Sequence, residues 1–406
     1  MPSFRIARLR FATHYRNMSA DLSQLYLHGG EAISRALSQF DSEWININMG
    51  QSWVAENAKN DKEAAELCAV YPDAGAHCLD LRQHPIERIR WRKAALIAAQ
   101  QLGQKRVVAA HLSNLGAAYY RIGDTLQAIG YYKQSLEINQ QLSSRVDEAG
   151  TLSNMGLAYI ELGEVSQALE CYKQALVIGL EINNGRVVGA TLGNLGETYA
   201  VLGKVQKAIE CFEEALKIHR KTGDRRSEYI VLGNLGSVYY RLGNFHQAIE
   251  LYEQQLKMGL EIGDRLAESV ATGNLGNVYA ALGKTKCAID YYEQSLSISR
   301  EISNRQGEGA SLSDLGGVYL NLGLYQTAMK YFEQALTITH EIQDRRTEGN
   351  TLFNIAIAFD KLGNRSQTIV YAETALEIFE EIKDPHASKV RDLLVKWQSM
   401  SNENKD

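Results

Sequence analysis

The sequence predicts an all-α protein built as a solenoid, in which similar pairs of helices stack on one another along the chain. Three observations support this fold class. A 40-residue repeat runs through most of the 406 residues. Glycine is frequent, at 33 residues, whereas only four prolines occur and none lies between Pro85 and Pro385. Because proline interrupts helices and glycine ends them, this distribution indicates many helices separated by short glycine turns.

The repeat is clearest as a column of Asn-Leu-Gly triplets, or near relatives, that return every 40 residues without insertion or deletion. An aromatic residue follows each triplet, and an alanine column lies further along the repeat. Seven copies in strict register indicate a repeat architecture, since one copy could not bury its own apolar face. The triplets begin at Asn114, Asn154, Asn194, Asn234, Asn274, Asp314 and Asn354.

Each repeat contains the apolar pattern of two amphipathic helices. In the first repeat, Leu112, Leu115 and Tyr119 share one helical face, while Ala128 and Tyr132 begin a second series with a spacing of four residues. A glycine column between the two series predicts a hairpin turn, because glycine readily adopts the positive φ that ends a helix. The column consists of Gly123, Gly163, Gly203, Gly243, Gly283, Gly323 and Gly363.

The second helix of each repeat is predicted to end where the next repeat begins. Gly223 and Gly263 can close this helix, and an Asp or Asn that follows can cap the next one. In five repeats an arginine opens the first helix and a glutamate follows three residues later, so we interpret this pattern as a structural ladder of ion pairs. The pairs are Arg145 with Glu148, Arg225 with Glu228, Arg265 with Glu268, Arg305 with Glu308 and Arg345 with Glu348.

The small and aromatic positions resemble those of the tetratricopeptide repeat. Gly116 and Ala128 occupy small-residue columns, and Tyr119 and Tyr132 supply the aromatic ones. That family ordinarily repeats every ~34 residues and closes each repeat with proline, whereas these repeats are longer and end on a Gly-Asp-Arg turn. The longer form is similar to repeats of kinesin light chains, spindle-orientation adaptors and bacterial signalling arrays. The resemblance implies a right-handed superhelix of seven repeats, at residues 105–144, 145–184, 185–224, 225–264, 265–304, 305–344 and 345–384.

The chain outside these repeats is also predicted to be helical. Trp91 lies 40 residues before Tyr131 and so has the same position in the 40-residue period, which indicates a degenerate repeat before the regular ones. His84 and Pro85 should open its second helix, and Pro72 should kink or break its first. The expected divisions are an N-terminal helical cap at residues 1–61, the degenerate repeat at residues 62–104, and a C-terminal helix with a disordered tail at residues 385–406.

A second resemblance is carried by Glu43-Trp44-Ile45-Asn46, Trp53, Leu81-Arg82-Gln83-His84-Pro85 and Trp91. This segment is similar to the helical arm that follows the nucleotide-binding module in bacterial signalling ATPases of the STAND and NB-ARC type. It implies a sensor arm without the ATPase module, because the sequence has no phosphate-binding loop. Gly283-Lys284-Thr285 imitates the end of such a loop, but the earlier glycine that the loop requires is Val278.

Composition and motifs exclude several function classes. The net charge is −5, from 43 Lys and Arg against 48 Asp and Glu, so there is no excess of positive charge for nucleic acid. No stretch is apolar enough for a membrane helix, and the start lacks the apolar core of a secretory signal, so we expect a cytoplasmic protein. The five cysteines and nine histidines show neither metal-ligand spacing nor a paired nucleophile and base. We therefore expect no enzyme activity, no metal and no cofactor.

The asparagine column is the candidate binding feature. Asparagine is a poor helix former, so its recurrence in the middle of a helix needs an offsetting benefit. In one interpretation the amides line the concave face, as residues at this offset do in the tetratricopeptide family, and bind a partner's main chain. In the other, each amide bonds the neighbouring repeat and sets the stacking. The candidates are Asn114, Asn154, Asn194, Asn234, Asn274 and Asn354, with Asp314 as the near-isostere.

The length and selectivity of such a groove can also be predicted. Six gaps of about 10 Å give ~60 Å, which an extended chain of roughly 18 residues would span. Positions that vary beyond each asparagine would select the partner. The best candidates for a partner's carboxylate or aromatic group are Tyr120, Arg121, Tyr240 and Arg241, and the alternative is that they are solvated helix ends.

The sequence thus predicts a non-catalytic adaptor or sensor arm that binds an extended peptide or protein partner in its groove. A second hypothesis is a regulatory subunit that docks onto a separate signalling ATPase through the Arg-rich first helix. A third, which the motifs do not favour, is an enzyme with a helical-repeat body.

Overall fold

The computed structural model describes residues 3–27, 31–382 and 384–403, and every regular element in these ranges is an α-helix. Twenty helices follow one another along the described part of the chain. The chain divides into two compact units, an N-terminal unit of Met1–Val231 and a C-terminal unit of Leu232–Asp406. The predicted all-α stack of helical hairpins is confirmed in each unit.

Five helices precede the regular repeats in the N-terminal unit. The first two pack along each other, and both contact the third. The third ends two residues after Pro72, and the fifth begins at Pro85, where the ring of His84 accepts a hydrogen bond from the Ile86 N–H. The five are α1 Phe4–Tyr26, α2 Glu31–Asn57, α3 Lys62–Ala74, α4 Ala76–Arg82 and α5 Pro85–Gln101.

Regular antiparallel hairpins follow, each with two helices of similar length. Those of the N-terminal unit are α6 Lys105–Arg121, α7 Thr125–Gln141, α8 Arg145–Glu161, α9 Val165–Glu181, α10 Gly185–Val201 and α11 Val205–Thr222. The boundary between the two units falls within α12 Arg225–Arg241. The C-terminal unit continues with α13 Phe245–Ile262, α14 Arg265–Ala281, α15 Thr285–Glu301, α16 Arg305–Asn321, α17 Tyr325–Glu341, α18 Arg345–Lys361, α19 Arg365–Glu381 and α20 His386–Glu403. The predicted disordered tail includes residues 404–406, which lie outside the described residues.

An aromatic ring packed over a glycine forms the centre of six hairpins. At Gly196, for example, an added Cβ atom would lie 2.7 Å from Cε1 of Phe212, which is itself buried. The glycine of the Asn-Leu-Gly triplet therefore leaves room for a ring of the second helix of the same hairpin. The six pairs are Gly116 with Tyr132, Gly156 with Tyr172, Gly196 with Phe212, Gly236 with Tyr252, Gly276 with Tyr292 and Gly316 with Phe332.

The turns agree with the predicted helix ends. Gly123 and its equivalents adopt positive φ between the two helices of a hairpin, and Gly283 belongs to this set rather than to a phosphate-binding loop. Gly223 and Gly263 close their helices with φ of 67°, and the carboxylate of Asp264 then accepts a hydrogen bond from the Ala267 N–H at 3.0 Å. Other junctions place Ser143, Asn183, Ser303 and Gln343 at positive φ.

The predicted Arg–Glu pairs are present, but their glutamates are buried rather than solvated. In the C-terminal unit, Glu308 accepts hydrogen bonds from Arg305 at 2.6 Å and from Arg300 at 2.9 Å, and Arg305 also donates to Glu341. Burial alone would raise the pKa of Glu308, yet these two guanidinium groups lower it below the usual value. Each pair thus joins two helices within a well-satisfied network.

Candidate peptide-binding face

The asparagine column lies in the middle of the first helix of each hairpin, and all of its side chains are half-buried. The neighbouring Leu and Gly of each triplet turn toward the second helix, so the preceding side chain projects from the adjacent face. We name the surface that carries this column the amide face and describe it separately in each unit. Its residues are Asn114, Asn154 and Asn194 in the N-terminal unit, and Asn234, Asn274, Asp314 and Asn354 in the C-terminal unit.

The six side-chain amides of this face have no hydrogen-bond partner among the residues that the structure describes. One interpretation of the sequence required each amide to bond the neighbouring repeat, and the described residues contain no such bond. An asparagine amide offers two donors and an acceptor. These groups are therefore available to a molecule that binds along the amide face.

Tyr120, in the N-terminal unit, interacts electrostatically with side chains of the two following hairpins. Its side chain is half-buried, and burial, followed by the charges of Glu161 and Glu197, raises the pKa of its hydroxyl. Tyr120 lies at the end of α6, whereas the two glutamates lie on α8 and α10. Side chains of three consecutive hairpins thus come close enough to interact electrostatically.

Tyr240 has the same place in its repeat and a similar neighbour in the C-terminal unit. Its side chain is half-buried, and burial, followed by the charge of Asp314, raises the pKa of its hydroxyl. The same two causes raise the pKa of Tyr292, whose hydroxyl donates a hydrogen bond of 2.8 Å to Oδ1 of Asn277. The charge of at least one carboxylate therefore reaches each of the two predicted tyrosines.

The two predicted arginines are more exposed than the tyrosines. One nitrogen of the Arg121 guanidinium lies 3.7 Å from a carboxylate oxygen of Asp80 on α4, so Arg121 has an acidic neighbour within the chain. Arg241 is exposed at the end of α12. Glu161 and Glu197 lie seven and three residues beyond an asparagine of the column, at the variable positions predicted to select the partner, and Asp314 lies in the column itself.

No group of three His, Cys, Asp or Glu side chains is arranged to hold a metal ion in residues 3–27, 31–382 and 384–403. Over the same part of the chain, every helix is too short or too polar to cross a membrane.

The tetratricopeptide repeat family matches the sequence at residues 107–181, 147–221, 187–258, 227–301 and 307–381, which together cover more than half of the chain. The chain belongs to the tetratricopeptide repeat family. The resemblance inferred from the small and aromatic columns is confirmed, and so is the repeat architecture. No match was found among curated protein sequences.

Several solved structures share the fold. A STAND protein with a tetratricopeptide repeat sensor from Pyrococcus horikoshii is 18% identical, with a TM-score of 0.58 over 84% of this chain and 50% of that chain. Aspartyl phosphate phosphatase F from Bacillus subtilis is 13% identical, with a TM-score of 0.57 over 83% of this chain and 94% of that chain. The quorum sensor NprR from B. thuringiensis is 13% identical, with a TM-score of 0.50 over 80% of this chain and 99% of that chain. The predicted resemblance to a STAND sensor arm is thus confirmed for the fold.

Proposed function

We propose that this chain is a non-catalytic scaffold or sensor arm whose amide face binds an extended segment of a peptide or protein partner. Membership of the tetratricopeptide repeat family supports an interaction role. One observation carries the proposed site: a column of half-buried amides without hydrogen-bond partners in the described chain. The candidate residues are Asn114, Asn154, Asn194, Asn234, Asn274 and Asn354, with Tyr120, Arg121, Tyr240 and Arg241 beside them.

An extended main chain is the ligand that such a column suits. Each ligand residue presents an N–H and a C=O group, and an asparagine amide can pair with both. Covering an unpaired amide with apolar atoms would instead cost about 1 to 3 kcal/mol. Successive hairpins lie about 10 Å apart and an extended chain advances ~3.3 Å per residue, so about three ligand residues fit between neighbouring amides.

The test is a triple variant with Asn194→Ala, Asn234→Ala and Asn274→Ala. We expect nearly unchanged helicity and thermal melting but loss of the partners that the wild-type chain captures from native cell extract, identified by mass spectrometry. The loss is expected because the variant removes hydrogen bonds made only to the ligand. A melting temperature that collapses in the triple variant would contradict the proposal and favour a structural role for the column.

A matched control separates the amide face from a general loss of surface amides. Gln127, Gln167 and Gln326 are exposed on second helices, and changing these three residues to alanine removes the same number of amides elsewhere. This control variant should capture the same partners as the wild-type chain. Equal loss in both variants would contradict a site on the amide face.

The sensor-arm form of this role is supported by the fold shared with the Pyrococcus horikoshii STAND protein. Docking onto a separate signalling ATPase would then use a second surface, and α1 is the candidate. One basic residue of α1 is already paired within the chain: the Arg5 guanidinium donates hydrogen bonds to Asp61 at 2.6 Å and to Glu63. Arg10 remains exposed. Charge reversal at Arg10 should weaken capture of an ATPase without changing capture on the amide face.

A cytoplasmic location is also proposed. All five cysteines are free thiols, and Cys68, Cys78 and Cys171 are buried. Burial raises the pKa of the Cys68 thiol to about 12, so this side chain stays protonated and unreactive. Reduced thiols are typical of reducing compartments. Cell fractionation with an antibody against the chain tests this location.

A further inference from the structure

Asp314 is the carboxylate of the amide face, and it has no partner among the residues that the structure describes. Asp314 occupies the asparagine position of its hairpin, on α16, and is half-buried. Within the described residues its side chain makes neither a hydrogen bond nor an ion pair, and burial raises its pKa to about 7. Glu308, six residues earlier on the same helix, instead has two arginine partners. The chain therefore satisfies its structural carboxylate and leaves Asp314 unsatisfied.

Two tyrosines lie within electrostatic range of this carboxylate. The charge of Asp314 raises the pKa of Tyr240, on α12, and of Tyr292, on α15, in both cases after the larger effect of burial. Both tyrosines are neutral at physiological pH. Among the residues that the structure describes, no basic side chain forms an ion pair with Asp314.

This arrangement is complementary to a positive charge. A half-buried carboxylate without a partner destabilises the fold, and a bound cation removes that cost by pairing with it. We propose that Asp314, half-buried and without a partner among the described residues, binds the side chain of a lysine or arginine in the extended segment on the amide face. The inference rests on the proposed peptide-binding function and adds the chemistry of the ligand.

The N-terminal unit supports the same ligand class independently. Tyr120 there lies beside Glu161 and Glu197, and both glutamates are exposed without an ion pair among the described residues. Arg121, the basic neighbour, already lies near Asp80. Each unit thus places acidic side chains without an ion pair among the described residues on the helical face that carries the asparagine column, which favours a basic segment over an acidic one.

The experiment selects random dodecapeptides displayed on phage against the wild-type chain, the Asp314→Asn variant and the Asn354→Asp variant. We expect lysine or arginine to be enriched at one position on the wild-type chain and this preference to disappear on Asp314→Asn. On Asn354→Asp, a second basic position should appear about three residues from the first, because neighbouring amides are about 10 Å apart. An unchanged basic preference on Asp314→Asn would overturn the proposal.

A binding cycle then measures the contact itself. A fluorescent copy of a selected peptide and its analogue with glutamine in place of the basic residue are titrated against both proteins. The wild-type chain should bind the basic peptide at least about tenfold more tightly, and Asp314→Asn should bind both peptides equally. Equal affinity of the wild-type chain for the two peptides would contradict a salt bridge at Asp314.

Two controls separate this inference from the function on which it rests. If no peptide is enriched on the wild-type chain, or if the triple asparagine variant binds the selected peptides equally well, the proposed function itself fails. The Asp314→Asn variant should fold, because asparagine occupies this position in six other hairpins. Its melting temperature at pH 8 should equal or exceed that of the wild-type chain, since an ionised carboxylate without a partner has been removed.

Discussion

The fit between a glycine and a ring decides the packing of each hairpin at the scale of single residues. Six hairpins pair a glycine on the first helix with a Tyr or Phe on the second. In the last hairpin both positions change together. Ala356 replaces the glycine of the triplet, Ala372 replaces the aromatic residue of the second helix, and both are buried. The methyl group of Ala356 fits because residue 372 has no aromatic ring to occupy the same space.

We therefore predict that Gly196→Ala lowers the free energy of unfolding by about 1 to 3 kcal/mol, because the new Cβ atom would lie 2.7 Å from Cε1 of Phe212. Adding Phe212→Ala should offset this clash, so the double variant should lose less stability than the sum of the two single variants. Urea denaturation followed by circular dichroism measures all three. Strictly additive losses would show that the two positions do not share the same space.

The helices end under strain at some repeat junctions, which is a property of the elements. Gly223 and Gly263 adopt positive φ without a steric cost, but Ser303 and Gln343 hold φ of 56° and 57° at the equivalent position. A residue with a Cβ atom pays about 1 to 2 kcal/mol in this conformation. The repeat geometry is thus maintained by packing even where the local sequence opposes it.

Replacing Gln343 with glycine should consequently raise the free energy of unfolding by up to about 1 kcal/mol, because glycine relieves the strain but gains entropy in the unfolded chain. The urea midpoint at constant slope measures the change. Gln343→Ala is the matched control, since it removes the same side chain but keeps the Cβ atom, and it should not stabilise. A stabilised alanine variant would mean that side-chain contacts, not φ, set the effect.

Contacts between neighbouring helices dominate at the scale of the whole molecule. Within each unit, helices pack mainly on those next to them in the chain and on the equivalent helix of the adjacent hairpin. Cooperativity in such a stack is passed from hairpin to hairpin rather than through one shared core. The division into two compact units is consistent with this local coupling.

We expect unfolding in urea to depart from a single two-state transition. Three of the four tryptophans lie between Trp44 and Trp91, and the fourth is Trp397. In a Trp397→Phe variant, fluorescence reports only the first helices, whereas circular dichroism reports the whole chain, so their midpoints should differ. The circular dichroism curve of the wild-type chain serves as the control. Coincident curves would indicate that both units unfold together.

The sequence by itself determined the hairpins, because each is specified by short-range features: the apolar stripe, the turn glycine and the capping Asp or Asn all act within one 40-residue repeat. It also located the asparagine column, whose helical register follows from the same period. The sequence did not determine what the asparagine column does. Whether Asn194 bonds a neighbour, and whether Asp314 has a counter-charge, depends on side chains of other hairpins.

Only the tertiary structure decided those relations. Two pairs illustrate this: Tyr120 with Glu197, and Tyr240 with Asp314. The members of each pair are more than 70 residues apart in the sequence, and stacked helices bring them within electrostatic range. Sequence periodicity fixes which face a residue occupies, but the angle between hairpins fixes which faces come together. For that reason the fold followed from counting residues, whereas the unpaired amides and carboxylates became visible only in three dimensions.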